Sequence, residues 1–95
     1  MYYSVRRMEV VSVEQITRTP KQLGSALRRQ RKKLGVSQET LAARIHLRQA
    51  TISALENSAS DTKLGTLYDA LAALELELVV RPRSKGSARE IEDLF

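Results

Sequence analysis

Residues 37–57 read SQETLAARIHLRQATISALEN. Ser37 is a good helix N-cap, and Gln38 and Glu39 occupy the first turn after it, where Glu39 also suits the positive end of the helix dipole. Leu41, Ala42 and Ile45 then fall on one helical face. A second helical pattern begins near Arg48 or Gln49 and runs to about Glu56, anchored by Ile52 and Leu55, with Ala54 adding a small contact. Leu41, Ile45, Leu47, Ile52 and Leu55 together point one way. Arg48, Gln49, Thr51 and Ser53 are left to point the other.

The residue between the two patterns is His46. A tight turn here calls for a positive φ, which usually selects Gly and costs a non-Gly residue on the order of 1 kcal/mol. His visits that region more readily than most residues. It has no companion ligand or nucleophile, so it reads as a turn residue facing solvent. Two helices that cross near a right angle must also approach closely, and Ala42 is small enough to permit it. Helix, tight turn and helix with an apolar inner face and a polar outer face form the pattern of a helix-turn-helix that reads DNA in the major groove.

On the N-terminal side, Thr19-Pro20 is a helix start, because Thr caps and Pro fits the first helical position. Leu23, Ala26, Leu27 and Leu34 give an apolar stripe, and Gly35 suits the left-handed position that ends a helix, so a helix is expected over about 20–34. Lys21, Arg28, Arg29, Arg31, Lys32 and Lys33 are read as its outer, basic face. Residues 1–18 lack a helical period. Met8, Val10, Val11 and Val13 are β-prone, so an extended or partly disordered arm is expected.

On the C-terminal side, residues 57–60 form a polar loop, and Asp61 or Thr62 is expected to cap a further helix. Leu64, Leu67, Leu71 and Leu74 form its stripe, with Tyr68, Ala70 and Ala72 on the flanks. From Glu75 to Arg81 the period changes to two and stops at Pro82, which reads as a strand. A lone strand is unstable. Its partner is either the valine-rich arm or the same strand of a second subunit, which would make Leu76, Leu78 and Val80 a dimerisation ribbon. Residues 82–95 form a polar, flexible tail ending in Ile91, Leu94 and Phe95, a candidate docking segment or a plain chain end.

Composition agrees with a small helical domain. The chain has 95 residues, 42% hydrophobic, with three Tyr, one Phe and no Trp. Its core must come from aliphatic side chains, enough for one domain with arms. There is no Cys and one His, so disulfides and thiolate metal sites are excluded and no metal or cofactor is expected. No Gly-rich phosphate loop or acid–His–nucleophile pattern suggests an enzyme. No apolar run approaches the roughly 20 residues of a membrane span, and the N-terminus lacks a secretory signal, so a cytoplasmic protein is expected. A net charge of +5 favours a polyanionic partner.

Residues 20–74 resemble the lambda-repressor-like (Cro/C1, XRE-type) helix-turn-helix family. The resemblance implies an all-α domain of four or five helices spanning 19–74. It also implies a phosphate contact from Gln38 and base contacts from Arg48, Gln49, Ala50 and Ser53. The chemistry fits: Arg pairs with guanine, Gln with adenine, Ala meets a thymine methyl, and Ser donates or accepts. Ser37, Thr51, Asn57 and Lys63, with Arg29 and Lys32 of the basic helix, suit phosphate oxygens. The runs LRQATISALEN and TKLGTLYDALAALELELVV narrow the likeness to the HipB antitoxins of HipA–HipB toxin–antitoxin systems. That implies a dimer joined by the strand at 75–81, a palindromic operator in duplex DNA, repression of transcription near the nucleoid, and a HipA-type Ser/Thr kinase as toxin partner. A free-standing repressor of phage or restriction-control type shares the four helices. A helical protein-interaction module without DNA binding is the reading from another class.

Overall fold

The computed structural model describes residues 14–83. Four α-helices follow one another: α1 (Pro20–Lys33), α2 (Gln38–Arg44), α3 (Gln49–Asn57) and α4 (Leu64–Ala73), with a 3-10 turn at Ala59–Asp61 between the last two. All regular structure among the described residues is helical, as expected of the fold class.

The helix starts follow from their caps. Thr19 Oγ1 accepts from the Gln22 amide at 3.1 Å, and Pro20 opens α1. The Gln22 side chain in turn accepts from the Arg18 amide, a variant of the reciprocal capping box. Ser37 caps α2 through the Thr40 amide. The start of α4 differs from expectation. Asp61 closes the 3-10 turn, Thr62 follows it in extended backbone, and Lys63 holds the N-cap position without a side-chain bond. Ser58 drew the cap upstream, because its hydroxyl takes the Ser60 amide and nucleates the 3-10 turn there.

Three of the four helices end in the same motif, in which a residue with positive φ lets two amides reach back to the last turn. Gly35 (φ 73), His46 (φ 60) and Glu75 (φ 62) hold that position. The amides of Val36, Leu47 and Leu76, one residue later, reach Arg31, Ala42 and Leu71 carbonyls at 3.1, 2.8 and 2.8 Å. Each of these three following residues is apolar and packs on the core. His46 thus adopts the conformation expected of it and is exposed. Glu75, read as the first residue of a strand, is instead a second non-Gly residue in the left-handed region.

The core joins one face of each helix: Leu27 from α1, Leu41 and Ala42 from α2, Ile52 and Leu55 from α3, and Leu67, Ala70, Leu71 and Leu74 from α4. Gly24 is a small residue that permits a close approach of α1 and α3. A methyl group there would lie 2.5 Å from the Leu55 carbonyl oxygen and 2.7 Å from that of Glu56. The backbones of α1 and α3 therefore touch with nothing between them. Gln30 ties α1 to the end of α4 by donating to the Leu74 carbonyl at 2.9 Å.

Several expected core positions face outward. Leu64 is 64% exposed and Tyr68 50% exposed, because α4 turns Leu67, Ala70, Leu71 and Leu74 inward. Ala54 is exposed as well. Residues 75–83 have no regular secondary structure in the single chain. The expected ribbon residues are also not equivalent. Leu76 packs on the core, whereas Leu78 and Val80 are exposed. A strand requires a hydrogen-bonding neighbour, and no described segment supplies one. The expectations for residues 1–13 and for the tail from 84, including Ile91, Leu94 and Phe95, lie outside the described residues. No helix among those described is long and apolar enough to cross a membrane.

Candidate nucleic-acid interface

The first turns of α2 and α3 meet. Gln49, the first residue of α3, donates from Nε2 to Oε1 of Gln38, the first residue of α2, at 3.2 Å. This bond brings Ser37 and Gln38 beside Arg48, Gln49 and Ala50. Arg48 is the N-cap of α3 by backbone geometry, and its side chain makes no capping bond. Arg48, Gln49, Ala50 and Thr51 are all exposed. Ser53 lies one turn beyond Gln49 on the same face and is half-buried. Four candidate base-reading residues therefore share the N-terminal half of one helix.

Behind them is a buried ionic cluster. Arg31 and Glu56 pair in a two-point geometry, Nε to Oε2 at 2.6 Å and Nη2 to Oε1 at 3.1 Å. Arg31 Nη1 also donates to the Val36 carbonyl at 2.8 Å. Gln38 Nε2 donates to Glu56 Oε1 at 3.0 Å. The side chains of Arg31 and Glu56 are only 10% and 3% exposed. Burial alone disfavours the Glu56 carboxylate, but the bonds from Arg31 and Gln38 and the charges of Arg31 and Arg28 outweigh it, so its pKa lies below the ordinary value. The hydrogen bond to Glu56 outweighs burial at Arg31 and holds its pKa above the usual value.

One expectation changes here. Arg31 does not belong to the outer basic face. It occupies the inward stripe one turn after Leu27 and serves the core, where its acid is the buried Glu56. Gln38 has both ends of its amide engaged within the protein, to Glu56 and Gln49, and Ser37 Oγ is engaged with Thr40.

The candidate phosphate contacts are spread more widely. Lys32 is exposed, one residue from Arg31. Arg29 is two residues from Arg31, about 200° around the helix. It lines a cleft with Lys21, Gln22 and Ser25 against residues 15–17, away from α3. Asn57 ends α3, about 12 Å along its axis from Gln49, and Lys63 begins α4; both are exposed. Arg28, read from the sequence as part of the basic face, lies near enough to Glu56 to favour its charged form.

Comparisons with known proteins agree with this geometry. The helix-turn-helix family profile matches residues 27–80. Antitoxin HipB of Escherichia coli O6:H1 is 37% identical over 78 residues, covering 80% of this chain and 83% of the relative. Antitoxin HipB of Escherichia coli K12 is 35% identical over 74 residues, covering 78% and 84%. Among solved structures, a HipB–O4 20-mer complex superposes with a TM-score of 0.70 at 35% identity, covering 75% of this chain and all of that one. A HipA–HipB–O2–O3 complex gives the same TM-score, identity and coverage. The restriction-modification controller protein C.Esp1396I shares the fold, with a TM-score of 0.57 at 22% identity over 61% of this chain and 75% of that one. The two relatives of this chain by sequence are antitoxins rather than enzymes. With the profile covering more than half of its length and this degree of identity to two HipB proteins, the chain belongs to the XRE-type helix-turn-helix family, among the HipB antitoxins.

Proposed function

We propose that the chain is a sequence-specific DNA-binding repressor and the antitoxin of a type II toxin–antitoxin pair. It binds a palindromic operator as a homodimer and holds a HipA-type Ser/Thr kinase inactive. The observation that carries this reading is the Gln38–Gln49 bond, which gathers Arg48, Gln49 and Ala50 at one exposed helix start. The related structures, a HipB–O4 20-mer complex and a HipA–HipB–O2–O3 complex, support both partners. In this reading Arg48, Gln49, Ala50 and Ser53 meet base edges. Arg29, Lys32, Ser37, Gln38, Thr51, Asn57 and Lys63 meet phosphates, with Ser37 and Gln38 contributing backbone amides at the start of α2.

The organisation follows: an arm at 1–18, the DNA-binding body at 19–74, a dimerisation strand at 75–81 and a tail at 82–95. Leu78, Val79 and Val80, exposed in the single chain, become covered when two copies pair these segments. The terminal Ile91, Leu94 and Phe95 dock the toxin. The protein works in the cytoplasm, on the nucleoid.

A randomised duplex pool tests the DNA reading. One enriched palindrome, bound by two chains with an affinity that falls steeply as salt rises, supports it. A shallow salt slope without an enriched sequence breaks it and favours a protein-interaction module. Removing residues 90–95 should weaken binding of the kinase and spare the operator; unchanged kinase affinity removes the docking role. The fold shared with a restriction-modification controller is compatible with a second reading, a free-standing repressor. Co-expression with the neighbouring reading frame separates the two, since an antitoxin carries a kinase through purification.

A further inference from the structure

We infer that buried Glu56, which touches no DNA, sets which purine Gln49 reads, by fixing the polarity of the amide between them. This inference rests on the DNA-reading role of α3. The argument is one of donors and acceptors. A carboxylate accepts hydrogen bonds and donates none. Arg31 keeps Glu56 charged and takes both of its oxygens. Gln38 therefore turns its NH2 group toward Glu56, at 3.0 Å, and its carbonyl oxygen must face the other way. That oxygen meets Gln49 Nε2 at 3.2 Å and can only accept, so Gln49 gives it one of its two N–H groups.

What remains on Gln49 is one N–H and the carbonyl oxygen, a donor beside an acceptor. Adenine presents the complement in the major groove, the N7 acceptor beside the N6 amino donor. With Gln38 reversed, its NH2 would face Gln49 and occupy the Gln49 carbonyl. Two N–H donors would then face the groove, the complement of guanine N7 and O6. The buried charge thus chooses adenine over guanine through two intervening amides. Gln38 and Glu56 are positioning residues.

The test uses the full chain and a randomised pool of DNA duplexes about 20 base pairs long, about two helical turns. Gln49→Ala first marks the base pair that Gln49 reads. At that pair the native chain should prefer adenine over guanine by about 10- to 100-fold, the range of a bidentate contact. Glu56→Gln presents either end of an amide to Gln38 and should cut the preference to about threefold or less. Gln38→Met keeps the Arg31–Glu56 pair and should give the same relaxation even if Glu56→Gln folds poorly. Preference at the pair read by Arg48 should stay as it was in both variants, which a merely structural loss would not produce. Undiminished adenine preference in Gln38→Met overturns the inference and leaves DNA reading standing. Equal loss at every base pair also overturns it. If Gln49→Ala changes no base pair, both the inference and the reading role of Gln49 fall.

Discussion

The two halves of α3 have opposite surroundings. Its C-terminal half is pressed against α1, with Leu55 and Glu56 under the bare backbone of Gly24 and the guanidinium of Arg31. Its N-terminal half presents Arg48, Gln49, Ala50 and Thr51 to solvent. One half holds position and the other does the reading. Substitutions should therefore sort: those at the buried end alter folding, with Glu56 alone also reaching the reading face through Gln38, and those at the exposed end alter binding with little effect on folding.

The largest effect is expected at the ion pair. Arg31→Ala leaves a buried carboxylate without its partner and should destabilise the fold by about 3–5 kcal/mol, read by denaturant unfolding. Replacing both members, Arg31→Met with Glu56→Leu, should recover most of that loss. Failure to recover would mean that the charges, and not their mutual compensation, hold the buried end. Acid probes the same pair. Glu56 has a lower pKa folded than unfolded, so its contribution is complete above the ordinary carboxylate value of 4.5 and is lost as pH falls through the lowered native value. The unfolding midpoint of the native chain should drop over that acid range more than that of the double variant.

Gly24→Ala should cost about 2–3 kcal/mol, because a methyl group meets main-chain oxygens that cannot rotate away, offset in part by the better helix propensity of Ala. Arg48→Ala should shift stability by less than about 0.5 kcal/mol and weaken operator binding by about 1–3 kcal/mol with relaxed preference at one base pair. If it instead lowered the melting temperature and spared preference, the division between the two halves would be wrong. Smallest is His46→Gly, expected to stabilise by about 0.5–1 kcal/mol once the left-handed strain is relieved against the added chain entropy. Operator affinity should be unchanged, since the turn's path is already set by its hydrogen bonds.

What could be read from the sequence was what local chemistry decides. Thr19-Pro20, Ser37 and Gly35 fix where chains of amides begin and end, and period fixes the inner faces of α2 and α3. The misread features depend on partners far along the chain. Arg31 looked like one of six basic residues because its acid is 25 positions away. Its place in the stripe of Leu23, Leu27 and Leu34 was the overlooked signal. The outward turn of Leu64 and Tyr68 depends on which side of α4 meets α2, which a stripe of four leucines does not specify. Glu75 reads as a strand residue because its alternating neighbours mask a helix end that needs no Gly when Leu76 can pack on the core behind it. At the interface, the residue types of α3 were legible. The amide relay behind them was not, because it joins four residues through space.

The contact at Gly24 has an evolutionary consequence. Where two helices meet through side chains, each core substitution nudges one against the other, and the tilt drifts as the sequence does. Here main chain rests on main chain, so the angle between α1 and α3 is insulated from the identity of the surrounding aliphatic residues. Leu27, Ile52 or Leu67 can exchange for aliphatic residues of similar volume with modest loss of stability while the reading helix keeps its aim. Descendants of this chain can therefore change what they recognise at Arg48 to Ser53, and change what fills the core, as two independent histories.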